Sequence, residues 1–288
     1  PLTEPGVDAK VGDFLLSVDG RDLRSEDNLY ARFERTAGRI VELTIGPKPN
    51  GDAARTVKVV PVADEHALRN RAWVEDNIRK VTAATKGRVA YVYVPNTAGL
   101  GRAYFKRYFY PQADREAIII DERHNGGGLV ADYYIDLLRR PYLNQWVTRY
   151  GADQRSPTAA IHGPKVMIID ETAGSGGDLL PWIFRKLKVG TIVGKRTWGG
   201  LVGILGFPTL MDGGWLTAPN IAFLSKDGFR VENEGVPPDV EVEQTPADVL
   251  AGRDPQLDKA IEIVMKQLDA APHKGALQRP AFPVRVRK

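Results

Sequence analysis

Apolar positions in the first part of the chain fall in short runs separated by turn residues, the rhythm of a small β module. Phe14 to Val18 predicts a strand, Asp19-Gly20 a hairpin turn, and Glu26 to Thr36 a short helix. Arg39 to Ile45 and Thr56 to Val62 predict two more strands joined by the loop GPKPNGD. Ala63 to Lys86 lacks proline and spaces Leu68, Ala72, Trp73 and Ile78 at helical intervals, so it predicts a linker helix. From Arg88 onward apolar strands alternate with amphipathic helices. Val89 to Val94, Ala117 to Asp121 and Val166 to Asp170 are strands of the fully buried kind. Leu100 to Tyr110, Leu129 to Arg140 and Asp178 to Leu187 are helices, with an irregular segment before the third strand. This order predicts an α/β domain on a largely parallel sheet, whose ligand sites lie at the carboxyl ends of the strands. Thr191 to Glu243, rich in glycine and β-branched residues, predicts hairpins laid over that sheet, and Asp258 to Leu268 a helix packed on the core. The expected division is a β-rich module over 1–62, a linker helix over 63–87, an α/β domain over 88–270 and a disordered tail over 271–288.

The sharpest local feature is the turn between the third strand and its helix. Ser175 sits there among Gly174, Gly176 and Gly177, where the backbone can bend tightly and a second molecule can come close. A serine at a helix N-terminus has free N–H groups and the positive end of the helix dipole beside it, a setting suited to the oxyanion of acyl transfer. The turn resembles the strand–nucleophile–helix elbow of serine hydrolases, with Ala173 in place of the first glycine of G-x-S-x-G. A plain Gly-Ser turn capping a buried helix fits the same residues. A second glycine loop, Asn125-Gly126-Gly127-Gly128, follows the strand ending at Asp121. If the two strands are neighbours, the loops converge on one crevice. Three successive glycines are an expensive connection in unfolded-state entropy, so close approach of a substrate is expected at Gly126 and Gly127. A phosphate loop is the rival, but the Walker ending is absent.

Composition narrows the partners. The 288 residues are 43% apolar, enough for a sizeable core, and no run is long enough to cross a bilayer, so a soluble chain is expected. The start, PLTEPGVDAK, has neither an apolar signal core nor Met, so the chain is expected to begin inside a longer protein. Without cysteine there is no disulfide or thiolate chemistry, which fits a cytoplasmic location. His66, His124, His162 and His273 lack metal-ligand spacing, so no zinc site is expected. The net charge is +4, but Lys274, Arg279, Arg285, Arg287 and Lys288 crowd the tail; without them it becomes −1. The body is therefore nearly balanced, and neither nucleic acid nor membrane is an expected partner.

Taken in order, DERHNGGG, DETAGSGGD, VGKRTWGG, GFRVENEGVPPDVEVE and DPQLDKAI resemble the tail-specific and tricorn peptidases, and EPGVDAKVGDFLLSVDGRDL with NLYARFERTAGRIVELTI resembles a PDZ domain lacking its first strand. The likeness spans residues 1 to 268 and implies a crotonase-like α/β serine peptidase domain preceded by a small β-rich PDZ-like domain. In the tail-specific branch a lysine base falls where this chain has Gly200, and Lys195 does not align with it. The sequence is closer to the tricorn branch, which uses a Ser-His-Ser-Glu tetrad. By that match Ser175 is the nucleophile and Glu232 the acid, although on residues alone Glu232 is one acid among Glu234, Asp239 and Glu241. The same match makes the N–H groups of Gly128 and Gly176 the oxyanion hole, with Gly176 replacing an aspartate. The residue serving a basic cleavage preference falls near Trp146, which puts that preference in doubt. The family's histidine and its adjacent serine lie upstream of the PDZ module, and none of the four histidines here matches, so this segment alone is expected to be inactive. The resemblance further implies peptide substrates, a homo-oligomer and no cofactor. A non-catalytic PDZ-type scaffold and a crotonase-fold acyl-CoA enzyme are the alternatives.

Overall fold

The computed structural model describes residues 1–270, 277 and 281. It divides into two compact units, Pro1–Trp73 and the chain from Val74 onward. The boundary falls inside helix α1 (His66–Ala84) rather than at either end of the linker expected over 63–87.

The first unit is an antiparallel sheet in the order β2-β1-β3-β4, with β1 Phe14–Val18, β2 Arg21–Asp22, β3 Val41–Gly46 and β4 Arg55–Val59. Alternation sets its faces: Val41, Leu43 and Ile45 of β3 and Val57 and Val59 of β4 point into one core with Val7 and Val18, while Glu42 and Lys58 stay outside. Asp19, at φ +48°, and Gly20 make the β1–β2 turn. The helix expected over Glu26 to Thr36 is reduced to a single 3-10 segment, Leu29–Phe33, capped by Asn28. None of its residues is buried and only Phe33 packs on the core, so no apolar stripe holds a longer helix.

The second unit is built on a five-stranded sheet, all parallel, in the order β13-β10-β9-β6-β5. Strands β5 (Val89–Tyr93), β6 (Ala117–Asp121) and β9 (Lys165–Ile169) are buried at every residue, so both faces of the sheet are covered. The intervening helices are α2 (Gly99–Phe109), α3 (Ala131–Leu138) and α4 (Gly176–Lys186). Helix α6 (Pro255–Ala270) packs on β6, β9 and β10 through Leu257, Ala260, Val264 and Leu268. The segment expected to be irregular forms a hairpin of β7 (Asn144–Trp146) and β8 (Gln154–Ser156).

The last third departs from the expectation of hairpins laid over the sheet. Strands β10 (Thr191–Gly194) and β13 (Val240–Glu241) are part of the sheet itself, and only β11 (Leu224–Ser225) with β12 (Gly228–Phe229) makes a hairpin. TIVG is a buried apolar run too short for periodicity to register, and VE is a two-residue edge pairing. A short helix, α5 (Pro246–Leu250), follows with Thr245 and Asp248 closing a capping box. The tail expected to be disordered lies outside the described residues except for Leu277 and Ala281.

A buried polar network joins the carboxyl end of β6 to α6. Arg123 forks onto Asp121 (Nη2–Oδ2 2.6 Å) and Asp254 (2.9 Å), and Tyr91 donates to Asp121 at 2.8 Å while accepting from Asn77. Two buried carboxylates thus share one guanidinium. Arg123→Leu leaves both without it and is expected to destabilise the second unit by about 3–5 kcal/mol, read as a lower urea midpoint. An unchanged midpoint would show that the network adds nothing to stability.

Candidate active site

Strands β6 and β9 are neighbours in register, Asp121 opposite Ile168, so the loops leaving their carboxyl ends lie side by side. Each loop is pinned by backbone bonds. Gly126 N–H donates to Pro95, Thr97 N–H to Gly127, and Gly174 N–H to Asn125, while the Asn125 side chain accepts from Gly127 N–H. Beneath them Glu122 is fully buried and takes a hydrogen bond from Asn125; burial, with the charges of Asp170 and Asp178, pushes its carboxyl well above the usual range.

Gly127 and Gly128 have positive φ, and a Cβ on Gly127 would lie 2.7 Å from that of Ser175. At Gly176 a Cβ would stand 1.9 Å from Thr97 Oγ1 and 2.3 Å from the Gly128 carbonyl oxygen. No side chain fits there, including the aspartate that the family resemblance places at this position. Gly126, by contrast, is exposed with open space around it. The N–H groups of Gly128 and Gly176 donate to no protein acceptor among the described residues.

Ser175 occupies the N-cap of α4 at φ +56°, ψ −115°, a conformation that L-residues rarely adopt. Its N–H donates to Gly200 at 2.9 Å and its carbonyl accepts from Asp178 and Leu179, so its backbone is held on both sides. The half-buried Ser175 lines a cavity of about 620 Å³ with Trp198, Gly200, Val202, Ile204 and Glu232. Glu232 Oε2 accepts 2.7 Å hydrogen bonds from both Leu201 and Val202 N–H. Its neighbours Val231 and Asn233 have φ of +77° and +60°, so this acid is a fixed part of the cavity wall rather than a free surface carboxylate.

Sequence reasoning missed what holds the wall in place. Buried Asp178, in the first turn of α4, accepts from Thr197 Oγ1 (2.5 Å) and Gly199 N–H (2.8 Å), and Thr197 Oγ1 accepts from Val236 N–H. Burial holds the Asp178 carboxyl above its ordinary value. Trp198 donates from its backbone to Ala173, and its ring covers Gly174 and Gly200, where a Cβ would lie within 2.6 Å of ring carbons. The motif VGKRTWGG carries both Thr197 and Trp198, but only the positions of Lys195 and Gly200 draw notice in the sequence.

Other candidates lie elsewhere. Lys195 is engaged by Glu241 (2.9 Å) and Glu243 (2.7 Å), which raise its pKa, and it does not line the cavity. Trp146 is exposed on the β7–β8 hairpin and does not line it either. His124 Nδ1 lies 2.9 Å from both Asp170 Oδ2 and Thr172 Oγ1, with its ring largely exposed. His66 opens α1, His162 sits beside the Arg140 carbonyl, and His273 lies outside the described residues. Among the described residues no histidine lines the cavity, and no group of three His, Cys, Asp or Glu side chains is placed to hold a metal ion.

The pattern of peptidase family S41 matches residues 88–242, which contain every element of this site, and that of the tricorn protease PDZ domain matches residues 1–64. The chain belongs to peptidase family S41. Tricorn protease homolog 1 of Streptomyces coelicolor is 38% identical over 95% of this chain, and the tricorn protease of Thermoplasma acidophilum is 36% identical over 93%. A crystal structure of the tricorn protease superimposes on 90% of the chain with a TM-score of 0.86 at 36% identity. The chain spans about a quarter of each: 26% and 25% of the two relatives and 25% of the solved chain. In this S41 chain a segment matching the tricorn PDZ domain therefore precedes the peptidase segment.

Two consequences are measurable. At positive φ a Cβ is a liability, so Ser175→Gly is expected to be more stable than Ser175→Ala by about 1 kcal/mol, the reverse of the usual order. Chemical denaturation of the two variants checks this, and a more stable alanine variant would contradict the strained turn. His124 donates a hydrogen bond to Asp170, which raises the histidine's pKa; Asp170, opposed by burial, is held below its ordinary value chiefly by His124. The pair's stabilisation is thus full below the unfolded histidine value and fades as pH rises through the raised folded one. The melting-temperature loss in His124→Gln should be larger at about pH 5.5 than at about pH 8.5.

Proposed function

We propose that this chain is the PDZ and catalytic portion of a tricorn-type serine endopeptidase that cleaves peptides or unfolded polypeptide through an acyl-enzyme on Ser175. The observation that carries the reading is the strained Ser175 at the N-terminus of α4, sharing one cavity with an anchored Glu232. Ser175 Oγ attacks the scissile carbonyl and passes its proton to a base. The carbonyl oxygen gains negative charge opposite the Gly128 and Gly176 N–H groups, which have no acceptor among the described residues. The amine leaves with that proton, and water releases the acyl group by the reverse sequence.

The base is expected to be a histidine from a segment upstream of Pro1, oriented from the Glu232 side through an adjacent serine, as the tricorn resemblance implies. Gly200 offers no room for a lysine in its place: a Cβ there would stand 2.5 Å from the Trp198 ring. By the resemblance, basic substrates are read by an acid from a neighbouring subunit; its position falls near the exposed Trp146 here, so a basic preference is not part of the proposal. A homo-oligomer and a cytoplasmic location are part of the same proposal. They rest on the relatives; the structure adds that, among the described residues, no helix is long and apolar enough to cross a membrane. The first unit contains an apolar cavity of about 740 Å³ lined by Leu15, Leu29, Tyr30, Phe33 and Ile45, a surface suited to an extended peptide.

Fluorophosphonate labelling read by intact mass tests the chemistry. It is run on the 288-residue chain and on a polypeptide extended upstream through the segment expected to supply the histidine. Labelling of the extended protein, abolished by Ser175→Ala and absent from the shorter chain, is the expected result. Labelling that survives Ser175→Ala, or fails in both proteins, overturns the reading. Labelling of the shorter chain would place the base within these residues.

A further inference from the structure

A second cavity of the α/β unit, about 310 Å³, lies at the ends of β9 and α4 away from Ser175, among residues that the catalytic proposal does not use. It is lined by Arg139, Arg140, Lys165, Lys188, Tyr142 and His162 with a few apolar neighbours, and no carboxylate faces it. Arg139 caps the carboxyl end of α3, and Arg140 follows it, donating to the Ala159 carbonyl. Lys188 comes just after α4 at φ +51°, the place where a helix usually ends on glycine. Tyr142 and His162 form one wall, their rings edge to face with centroids 5.3 Å apart.

Lys165 is the decisive residue. It opens β9 with only 8% of its surface exposed, and its ammonium, with three N–H donors, donates to the single carbonyl of Gly163 at 2.9 Å. Among the described residues Arg139, Arg140, Lys165 and Lys188 form no ion pair. Burying an ammonium without a counter-charge is unfavourable, and burial alone lowers its pKa to about 8. Two helices end at this cavity, and each C-terminus supplies about half a negative charge. Their sum, about one charge, leaves most of the four cations uncompensated.

From this cluster we infer a binding site for a phosphate dianion, free or as the head group of a small monoester. Four cations exceed what one carboxylate can balance, and guanidinium groups beside an ammonium match the several oxygens of a phosphate. The volume lies at the lower end for ligand pockets, which suits a small molecule. The site is independent of the proposed peptidase chemistry, so neither stands or falls with the other.

Calorimetric titration of the chain with inorganic phosphate, against chloride at matched ionic strength, tests the site directly. Saturable one-to-one binding is expected, weakened about tenfold or more by Lys165→Met, which keeps the buried stem, and by the exposed change Lys188→Glu. Acetate should bind at least about tenfold more weakly than phosphate. Glycerol phosphate binding more tightly than phosphate would support a monoester ligand; the opposite order would support the free anion. Absence of saturable binding, equal affinity for acetate, or equal binding by the wild-type and both variants would overturn the proposal.

Discussion

The site depends on how closely three stretches of backbone approach one another at Ser175. The loop after β6, the turn into α4 and the segment from Thr197 to Leu201 meet so closely that a Cβ is excluded at Gly127 by the Ser175 side chain, at Gly174 and Gly200 by the Trp198 ring, and at Gly176 by Thr97 and the Gly128 backbone. This contact has a chemical consequence. A side chain at Gly176 would have to displace Thr97 or the Gly128 backbone, moving two amides that have no acceptor among the described residues. The glycines therefore do more than permit tight turns. They bring the Gly128 and Gly176 backbones together with no side chain between them, the closeness that the proposed oxyanion site requires.

Such crowding is held by ties that are themselves polar and buried. Ser175 keeps its strained backbone because Gly200 accepts its N–H and the first turn of α4 bonds to its carbonyl. Asp178 fastens the Thr197–Gly199 segment from below, and Arg123 joins the β6 terminus to Asp254 just ahead of α6. The last two ties place ionisable groups in the interior, where the loss of one leaves another group without its partner. The strain at Ser175 is thus carried by the whole carboxyl edge of the sheet rather than by the turn alone.

The large features were legible because burial imposes composition. Strands β5, β6 and β9 are covered on both faces, so every position had to be apolar or pairing-competent, and such runs stand out in a sequence. The glycine loops stood out for the same reason: few sequences tolerate three successive glycines without need. What was not legible had no such constraint. β13 is a two-residue edge pairing, and the 3-10 segment near Leu29 is indistinguishable by composition from the start of an α-helix. Trp198 reads as an ordinary aromatic until its ring is found covering Gly174 and Gly200, and Asp178 as an ordinary first-turn acid until its burial is known. Glu232 became legible only through family likeness; what distinguishes it physically is a pair of backbone donors, which no residue pattern encodes.

The site also separates two parts of catalysis that are usually considered together. On the proposed reading, positioning of the nucleophile and of the oxyanion donors falls to backbone of the α/β unit, in the strained Ser175 turn and the Gly128 and Gly176 N–H groups. Proton transfer needs a side chain, and among the described residues the groups nearest in sequence are committed elsewhere, Lys195 to Glu241 and Glu243 and His124 to Asp170. Backbone preorganisation without a base leaves roughly 10³–10⁴-fold acceleration over water, too little for peptide hydrolysis on a useful timescale. On the proposed reading, a site so divided reacts only when a base from outside the described residues reaches Ser175. On that reading Glu232, held by the Leu201 and Val202 N–H groups, is a fixed carboxylate from which such a base can be oriented, so the orientation of the base and the reactivity of the serine depend on one feature of the cavity wall.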